Sequence, residues 1–353
     1  MFGYFKVLFC VYGVNYTQIH SKWFKRLVFA LLIQLVAYAT FALGQKSYEY
    51  FEYHKSYTIV YLFSYILYFF YLLHLTIFKM KINEFNDIIE DLLKEDDKHL
   101  INRYSRVFSF IFITLLLIDM CLSHNVLLID DIDVYVKSKL YLDSKTLNPI
   151  VKYVIIIWRY LCILLTSNFL YLMIFIYVSY ILLISKISHS FIANFREYIK
   201  NNSLKCMRIY WRKICYVRCR FERLFTWYPL LTFAYTYLKT ILFLIYFKSQ
   251  TFKFDYKMTT SLYYLSISIV IPIVLVCFID HANSESRQLV EQLVSESLID
   301  DDLADCEQLL NEINQNYKMK FTAYGLFTLD KRLLVGFTSA LISFSILFMQ
   351  LSA

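Results

Sequence analysis

Glycine, proline and charge are all scarce in this chain of 353 residues. Five glycines and three prolines leave little material for flexible linkers. Only 18% of the residues are charged, below the roughly 25% that is usual for soluble domains. Apolar residues fill the chain instead: 59% are hydrophobic, 19% are aromatic, and the mean hydropathy is +0.49. A single soluble core stops growing beyond about 250–300 residues, so lipid is the expected solvent for most of this surface.

Seven apolar windows approach or exceed the roughly 20 residues that a helix needs to cross a bilayer. They are Leu27–Leu43, Tyr57–Phe78, Val107–Ile129, Ile150–Ile184, Thr226–Phe247, Thr259–Ile279 and Leu333–Leu351. The fourth window is too long for one span and is expected to project beyond the bilayer at its C-terminal end. Lys6 interrupts the first apolar stretch, and no small-residue cleavage site follows, so no signal peptide is expected. The predicted fold is an all-α membrane protein with seven transmembrane helices.

Lysine and arginine are divided unequally between the two sets of loops that alternate along such a chain. The set that includes the N-terminus holds 25 of the 36 basic residues, and the other set holds 8. Because basic loops stay in the cytosol, the N-terminus is predicted inside and the C-terminus outside, opposite to a G-protein-coupled receptor. The net charge of +8 is then mostly a consequence of topology, and no nucleic-acid partner is expected.

Three segments on the predicted cytosolic side have helical periodicity. Apolar residues of 85–93 recur at helical spacing and suggest that the third span begins as a helix well below the membrane. Residues 186–225 combine apolar positions with ten basic residues, which suits a solvated face near anionic lipid headgroups. Residues 286–317 are acidic and leucine-rich. They are expected either to contact the basic segment or to form part of a subunit interface.

Polar and aromatic residues from several windows fall in one outer layer of the predicted bundle. Ionisable groups at membrane depth usually face protein or water, and a cavity with apolar walls and a few polar groups suits a small molecule. Two other interpretations stay open: a neutralising ion pair between Asp119 and Arg159, and an interfacial aromatic belt. The candidate pocket residues are Tyr65, Asp119, His124, Trp158, Arg159, Tyr237, Lys239 and Tyr264.

Sequence motifs for catalysis are missing. The chain has no GxSxG, HExxH, Walker loop or paired-carboxylate motif. His74 is the one candidate for an intramembrane acyltransferase, but it lacks a second ligand or an acid partner in the pattern. The chain is therefore predicted not to be an enzyme, and no cofactor or metal is expected.

The last window carries a stripe of small and polar residues. Ser339, Ser343, Leu347 and Gln350 are spaced by four, four and three residues, and Gly336 extends the stripe inward. Such a face fits either close helix packing or a water-filled pore. The sequence pattern alone favours packing.

The C-terminal stretch resembles the signature region of insect gustatory receptors. That family ends in Thr-Tyr, five hydrophobic residues and Gln-Phe, where this chain has Ser343-Phe344, the run 345–349, and Gln350-Leu351. Upstream, "AYGLFTLDKRLL" follows the family pattern Gly-x-Phe-x-(Ile/Leu)-Asp. Gly325, Phe327, Leu329, Asp330 and Gln350 match the family motifs, whereas Ser343, Phe344 and Leu351 occupy motif positions with Ser in place of Thr, Phe in place of Tyr and Leu in place of Phe.

The resemblance implies a tastant-gated, non-selective cation channel in the plasma membrane of chemosensory neurons. Identical or related subunits would form a tetramer, with a sugar or a bitter compound bound in an outer pocket among helices two to six. Ser343, Leu347, Gln350 and Leu351 would line or close the pore. An odorant receptor subunit of the same superfamily and a non-channel membrane receptor remain the alternatives.

The implied organisation divides the chain into four parts in a lipid environment. Residues 1–26 form a cytosolic N-terminal segment, and 27–279 hold six helices with the outer pocket. Residues 280–332 form a cytosolic anchor segment, and 333–353 form the pore-lining helix.

Overall fold

The architecture is that of a computed structural model, and its described part is almost entirely helical. Long helices run through the chain, and one very short antiparallel strand pair precedes the last of them. The structure describes residues 10, 12, 22–53, 58–93, 95–129, 148–201, 204–249, 256–296, 306–318, 322–323 and 327–351.

The described residues form eleven helices, numbered here in chain order. They are α1 Lys22–Tyr53, α2 Thr58–Ile77, α3 Lys79–Leu92, α4 Glu95–Ile129, α5 Pro149–Ala193, α6 Phe195–Asn201, α7 Leu204–Phe225, α8 Trp227–Ser249, α9 Tyr256–Glu296, α10 Glu307–Lys318 and α11 Lys331–Leu351. Strand β1, Thr322–Ala323, pairs antiparallel with β2, Phe327–Thr328.

The apolar windows of the sequence fall on seven of these helices: α1, α2, α4, α5, α8, α9 and α11. Helical character is therefore confirmed where it was predicted. The start of α5 shows how the sequence fixes a boundary. Asn148 caps it by accepting a hydrogen bond from the Ile150 amide at 2.9 Å, and Pro149 occupies the first helical position. With 45 residues, α5 is about 67 Å long, more than twice the hydrocarbon thickness.

Length and composition identify a smaller set of spanning helices within the described residues. Lys22–Tyr48 and Asn168–Ala193 qualify on their own, and the bent pair Leu62–Ile77 and Lys79–Leu92 would be a third. The count of seven spans, their orientation and the four-part division of the chain therefore stay predictions.

The core of the protomer is organised around α5, which packs against α1, α2, α4, α8 and α9. Its central residues Phe169, Leu172, Met173 and Ile181 have no exposed surface. Most of the surface of α5 within Asn168–Ala193 is buried, which explains why this part of the helix is apolar all round and not amphipathic.

Helix α3 turns away from α2 by 66° at Phe78 and lies against α7. Its apolar stripe, which includes Phe85 and Ile89, is fully buried there. The third predicted span does begin as a helix well before its apolar window, because α4 starts at Glu95 and the window at Val107, but the expectation that residues 85–93 are part of that helix was wrong. They belong to a separate helix, because the backbone of Leu93 is extended and ends α3 before α4 begins at Glu95.

The basic segment and the acidic segment contact each other, which confirms one of the two alternatives. The Arg196 guanidinium donates to Glu296 at 2.9 Å, and Arg208 donates to Gln308 at 2.6 Å. These contacts tie α6 to the end of α9 and α7 to α10. Their energetic value is small, because the groups are partly exposed to water.

Candidate pore face and ligand pocket

One side of helix α11 is not covered by the rest of the chain. Ser339, Ser343 and Gln350 are exposed, and Leu347 is 50% exposed. A side chain added at Gly336 would meet nothing within 4 Å. The whole predicted stripe therefore faces away from the rest of the protomer. The side chain of Leu351 lies outside the described residues.

The opposite side of α11 is packed against α8. Phe337 meets Phe233 with ring centroids 4.9 Å apart, and Phe344 meets Tyr237 at 5.4 Å. Leu341, between the two phenylalanines, is buried. These residues recur every three to four positions, so they form a second stripe that docks the helix and turns the small-residue stripe outward.

Asp330 begins α11 by capping it. Its Oδ1 accepts hydrogen bonds from the amides of Arg332 and Leu333 at 3.1 and 3.3 Å. Lys331, the next residue, pairs with Asp280 of α9 at 3.2 Å. An aspartate in this motif therefore fixes where the last helix starts. Gly325, in the same motif, lies outside the described residues.

Asp119 is buried on α4 and accepts a hydrogen bond from the Asn168 side chain of α5 at 2.6 Å. Tyr263 of α9 is close enough to interact electrostatically with Asp119. Three helices thus converge on one buried carboxyl group. Asp119 was predicted from the sequence and Asn168 was not, and an ion pair with Arg159 was one of the interpretations left open. The side chain of Arg159 lies outside the described residues.

The other pocket candidates have different surroundings. Tyr237 contacts the final helix through Phe344, and the Lys239 ammonium lies 5.4 Å from the ring centroid of Tyr235. Trp158 is 39% exposed and stands edge-on to Tyr38 of α1. The described contacts therefore do not gather all eight candidates into one cavity. The side chains of His124 and Tyr264 lie outside the described residues.

Two buried tyrosines that were not predicted from the sequence pack against Phe169 of α5. Tyr12 and Tyr68 both contact the ring of Phe169, at 4.7 and 5.2 Å between centroids. Both hydroxyls are buried and have no hydrogen-bond partner in the described part of the chain. Tyr65, one turn before Tyr68, is also buried. Unsatisfied donors in an apolar interior are costly, so these hydroxyls are available to a polar ligand.

The sequence did contain a signal for this cluster. Tyr65, Tyr68 and Tyr71 recur every three residues and therefore share one face of α2. Of these three tyrosines only Tyr65 was predicted to line the pocket, because the candidates were chosen by their depth in the bundle. Tyr12 carried no such signal, because it comes from outside the long helices.

His74 is a packed residue in the structure. Its Nδ1 lies 2.9 Å from the Tyr228 hydroxyl, and its ring lies beside Phe78. The pair joins the end of α2 to the start of α8. Among the described residues, no group of three or more His, Cys, Asp and Glu side chains could hold a metal ion.

Comparisons with known proteins find a shared fold and no close relative in sequence. No family model and no curated protein matches the chain. The chain is similar to the insect olfactory receptor OR5 from Machilis hrabei, with 14% identity and a TM-score of 0.65 over 98% of this chain and 97% of that one. The structure of the same receptor in complex with eugenol gives 12% identity and a TM-score of 0.64 over 99% and 97% of the two chains.

Proposed function

We propose that this chain is a subunit of a tetrameric, ligand-gated cation channel in the plasma membrane. One observation carries the proposal: the exposed stripe of small and polar residues on α11. Serine and glutamine side chains gain nothing from lipid, whereas small residues allow helices to approach closely and polar ones can face water. The end-to-end similarity in fold to an insect olfactory receptor supports this assignment.

In this proposal, four copies of α11 surround a central pore. Gln350 and Leu351 form the outer constriction, and Ser343 and Leu347 lie deeper on the same stripe. A ring of leucine side chains can close a pore by excluding water. A ring of four glutamines would meet water and neighbouring subunits instead of lipid, which accounts for Gln350 in an apolar helix.

The proposed ligand site is the buried cluster around α5. Asp119 and Asn168 supply one polar end, and the unpaired hydroxyls of Tyr12 and Tyr68 supply another near Phe169. Aromatic walls with a few polar groups suit a small organic molecule. The olfactory receptor of similar fold has been solved in complex with eugenol, which supports a small organic molecule as the ligand here.

Helix α8 is the proposed link between pocket and pore. It contacts α11 through Phe233 and Tyr237, so a shift of α8 would move the final helix. A ligand can open the channel only if it binds the open arrangement better than the closed one. Movement of α8 is therefore expected to depend on occupancy of the pocket.

The gustatory assignment rests on the C-terminal motif. Asp330 and Gln350 follow the gustatory pattern, with Leu351 in place of its final Phe, and we infer a sugar or bitter compound as the tastant. The second candidate is an odorant receptor subunit, which the similarity to an olfactory receptor favours. Chemosensory neurons are the proposed site of expression in either case.

The test is whole-cell current from cells that express this chain alone, with panels of sugars, bitter compounds and volatile odorants. Gln350→Ala and Leu351→Ala should change ion permeability ratios or basal leak. Ile342→Ala is the matched control, because Ile342 is 61% exposed on the same helix but points about 100° away from the stripe. It should leave permeation unchanged.

The panels also separate the candidate functions. A current evoked only by volatile compounds would replace the gustatory assignment with the odorant one. Identical permeation in wild type and all three variants would remove Gln350 and Leu351 from the pore. Ligand binding to surface-expressed protein without any current would favour a non-channel receptor.

A further inference from the structure

A groove of about 450 Å³ lies between α3 and α7, away from both the pocket and the pore face. The two helices are antiparallel and tied on either side of it. At one end Arg220 pairs with Glu84, and at the other the Tyr210 hydroxyl donates to the Leu92 carbonyl oxygen at 2.9 Å. These ties hold the groove open at a fixed width.

The groove has basic residues on one wall. Arg212 and Lys213 of α7 line it and are exposed, opposite Asp91 of α3. Within the described part of the chain, neither cation has a hydrogen bond or ion pair, whereas Arg208 and Arg220 on the same helix are both engaged. Two unpaired cations against one carboxylate give the groove a net positive charge.

The rest of the lining is apolar. Ile88 and Leu92 come from α3, and Ile209 and Tyr216 come from α7. Ile209 and Tyr216 are 48% and 51% exposed, on the side of α7 opposite its fully buried stripe. The groove therefore offers cations for a phosphate and apolar surface for the parts of the same molecule that adjoin it. A free phosphate would use only the first of these.

The depth of the groove matches the headgroup layer, given the proposed topology in which α2 spans the membrane. Because α3 is inclined by 66° to α2, Ile88 lies about 13 Å along α3 but only about 5 Å deeper than its start. Asp91 lies about 7 Å deeper by the same geometry. The headgroup region extends about 5–8 Å beyond the hydrocarbon on each side.

We propose that the groove between α3 and α7 binds the headgroup of an anionic phospholipid from the cytosolic leaflet. Arg212 and Lys213 hold the phosphate and the headgroup anion, Arg212 through its planar guanidinium. Ile209 and Tyr216 contact the glycerol and the first methylene groups. The inference rests on the proposed membrane topology and not on the pore or the ligand site.

Native mass spectrometry of the purified full-length protein tests this proposal with phosphatidylserine and phosphatidylcholine as probes. Wild type should bind phosphatidylserine more tightly than phosphatidylcholine. Arg212→Gln/Lys213→Gln should weaken that binding about 25-fold, since each basic residue near a membrane contributes about fivefold. Lys205→Gln/Arg223→Gln is the matched control, because it removes the same charge from exposed positions of α7 outside the groove.

A third variant tests whether lipid binding follows the charge of the groove, because it should strengthen binding where the double variant weakens it. Asp91→Asn removes the carboxylate that faces the lipid anion, so it should tighten phosphatidylserine binding by about fivefold. Unchanged selectivity in both Asp91→Asn and the double variant would overturn the proposal. So would a loss of oligomer mass without a change in lipid selectivity, which would make the groove a subunit interface.

Soluble glycerophosphoserine distinguishes a lipid from a free phosphate. It should compete weakly, because it lacks the apolar part that the groove contacts. Competition as strong as that of the lipid would reassign the groove to soluble anions. This experiment needs neither a tastant nor a measured current. A failure to bind the lipid would therefore leave the channel proposal standing, and a chain that gives no current could still bind the lipid.

Discussion

The helix pair of α3 and α7 and the final helix α11 differ in how far their apolar residues are covered. The aromatic residues at the contact between α3 and α7 are covered: Phe85, Phe221 and Phe225 are at most 1% exposed, and their rings contact each other. On α11 one stripe is docked, while Leu347 on the other remains half-exposed. The helices α3 and α7 bury these aromatic residues against each other, whereas one side of α11 remains exposed.

The difference indicates what each region needs in order to be stable. A self-contained core holds its shape without partners, because its apolar area is already removed from water. A helix docked on one side has gained only part of that stabilisation. On this basis α3 and α7 form a fixed frame, and α11 depends on what occupies its open side.

Phe85→Ala should have the largest effect on stability. The side chain is fully buried among aromatic rings, and truncations of this kind cost about 3–5 kcal/mol. Thermal unfolding of the detergent-purified protein should show a large fall in Tm or loss of folded protein. Leu347→Ala is the control from the open stripe and should leave the Tm within about 2 °C of wild type. Equal losses in the two variants would mean that Leu347 is as fully buried in the folded assembly as Phe85 is.

Asp330→Ala should have an intermediate effect at the start of α11. Loss of a capping side chain costs about 1 kcal/mol, which corresponds to about 2–4 °C in Tm for a protein larger than 150 residues. Asp330→Asn keeps a side-chain oxygen that can accept from the Arg332 and Leu333 amides, so it should retain most of the stability. The variants are compared by thermal unfolding and by the fraction that reaches the cell surface. Equal loss in both would show that the negative charge matters more than the cap.

The two faces of the final helix could be predicted from the sequence, because the spacing of residues along this one helix determines which of them share a face. The spacing of Ser339, Ser343 and Gln350 places them on one face, and phenylalanines at 337 and 344 occupy a different one. A helix with two distinct stripes has one orientation that buries the larger residues. The sequence could not show that the partner of those phenylalanines is α8, because contacts between distant segments leave no local periodicity.

Fewer of the contacts around Asp119 and at the end of α3 could be predicted from the sequence, for related reasons. Asn168 lies in a long apolar window, where a single polar residue does not indicate which helix it faces. Asp119 was found because a charge in such a window is conspicuous. The end of α3 was missed because no glycine or proline marks Leu93. Its extended backbone is set by the packing of α3 on α7.

Glu222→Gln should have the smallest effect on stability. It tests whether the ionised carboxyl group of Glu222 stabilises or destabilises the packing around α7. Burial raises the pKa of Glu222 above its ordinary value of 4.5, and attraction to Arg218 lowers it less. The Tyr177 side chain of α5 also interacts with this carboxylate. A raised pKa means that the ionised carboxyl group is less favourable in the folded protein than in the unfolded one.

The sign of the pH dependence follows from that shift. Below the unfolded-state pKa the carboxyl group is neutral in both states and Glu222 carries no penalty. The penalty grows as the pH rises through the raised folded-state pKa and is constant above it. The Tm of Glu222→Gln should therefore match that of wild type near pH 4 and exceed it at pH 8. A lower Tm for the variant at pH 8 would show that the attraction to Arg218 outweighs burial, which would make this part of the frame electrostatically stabilised.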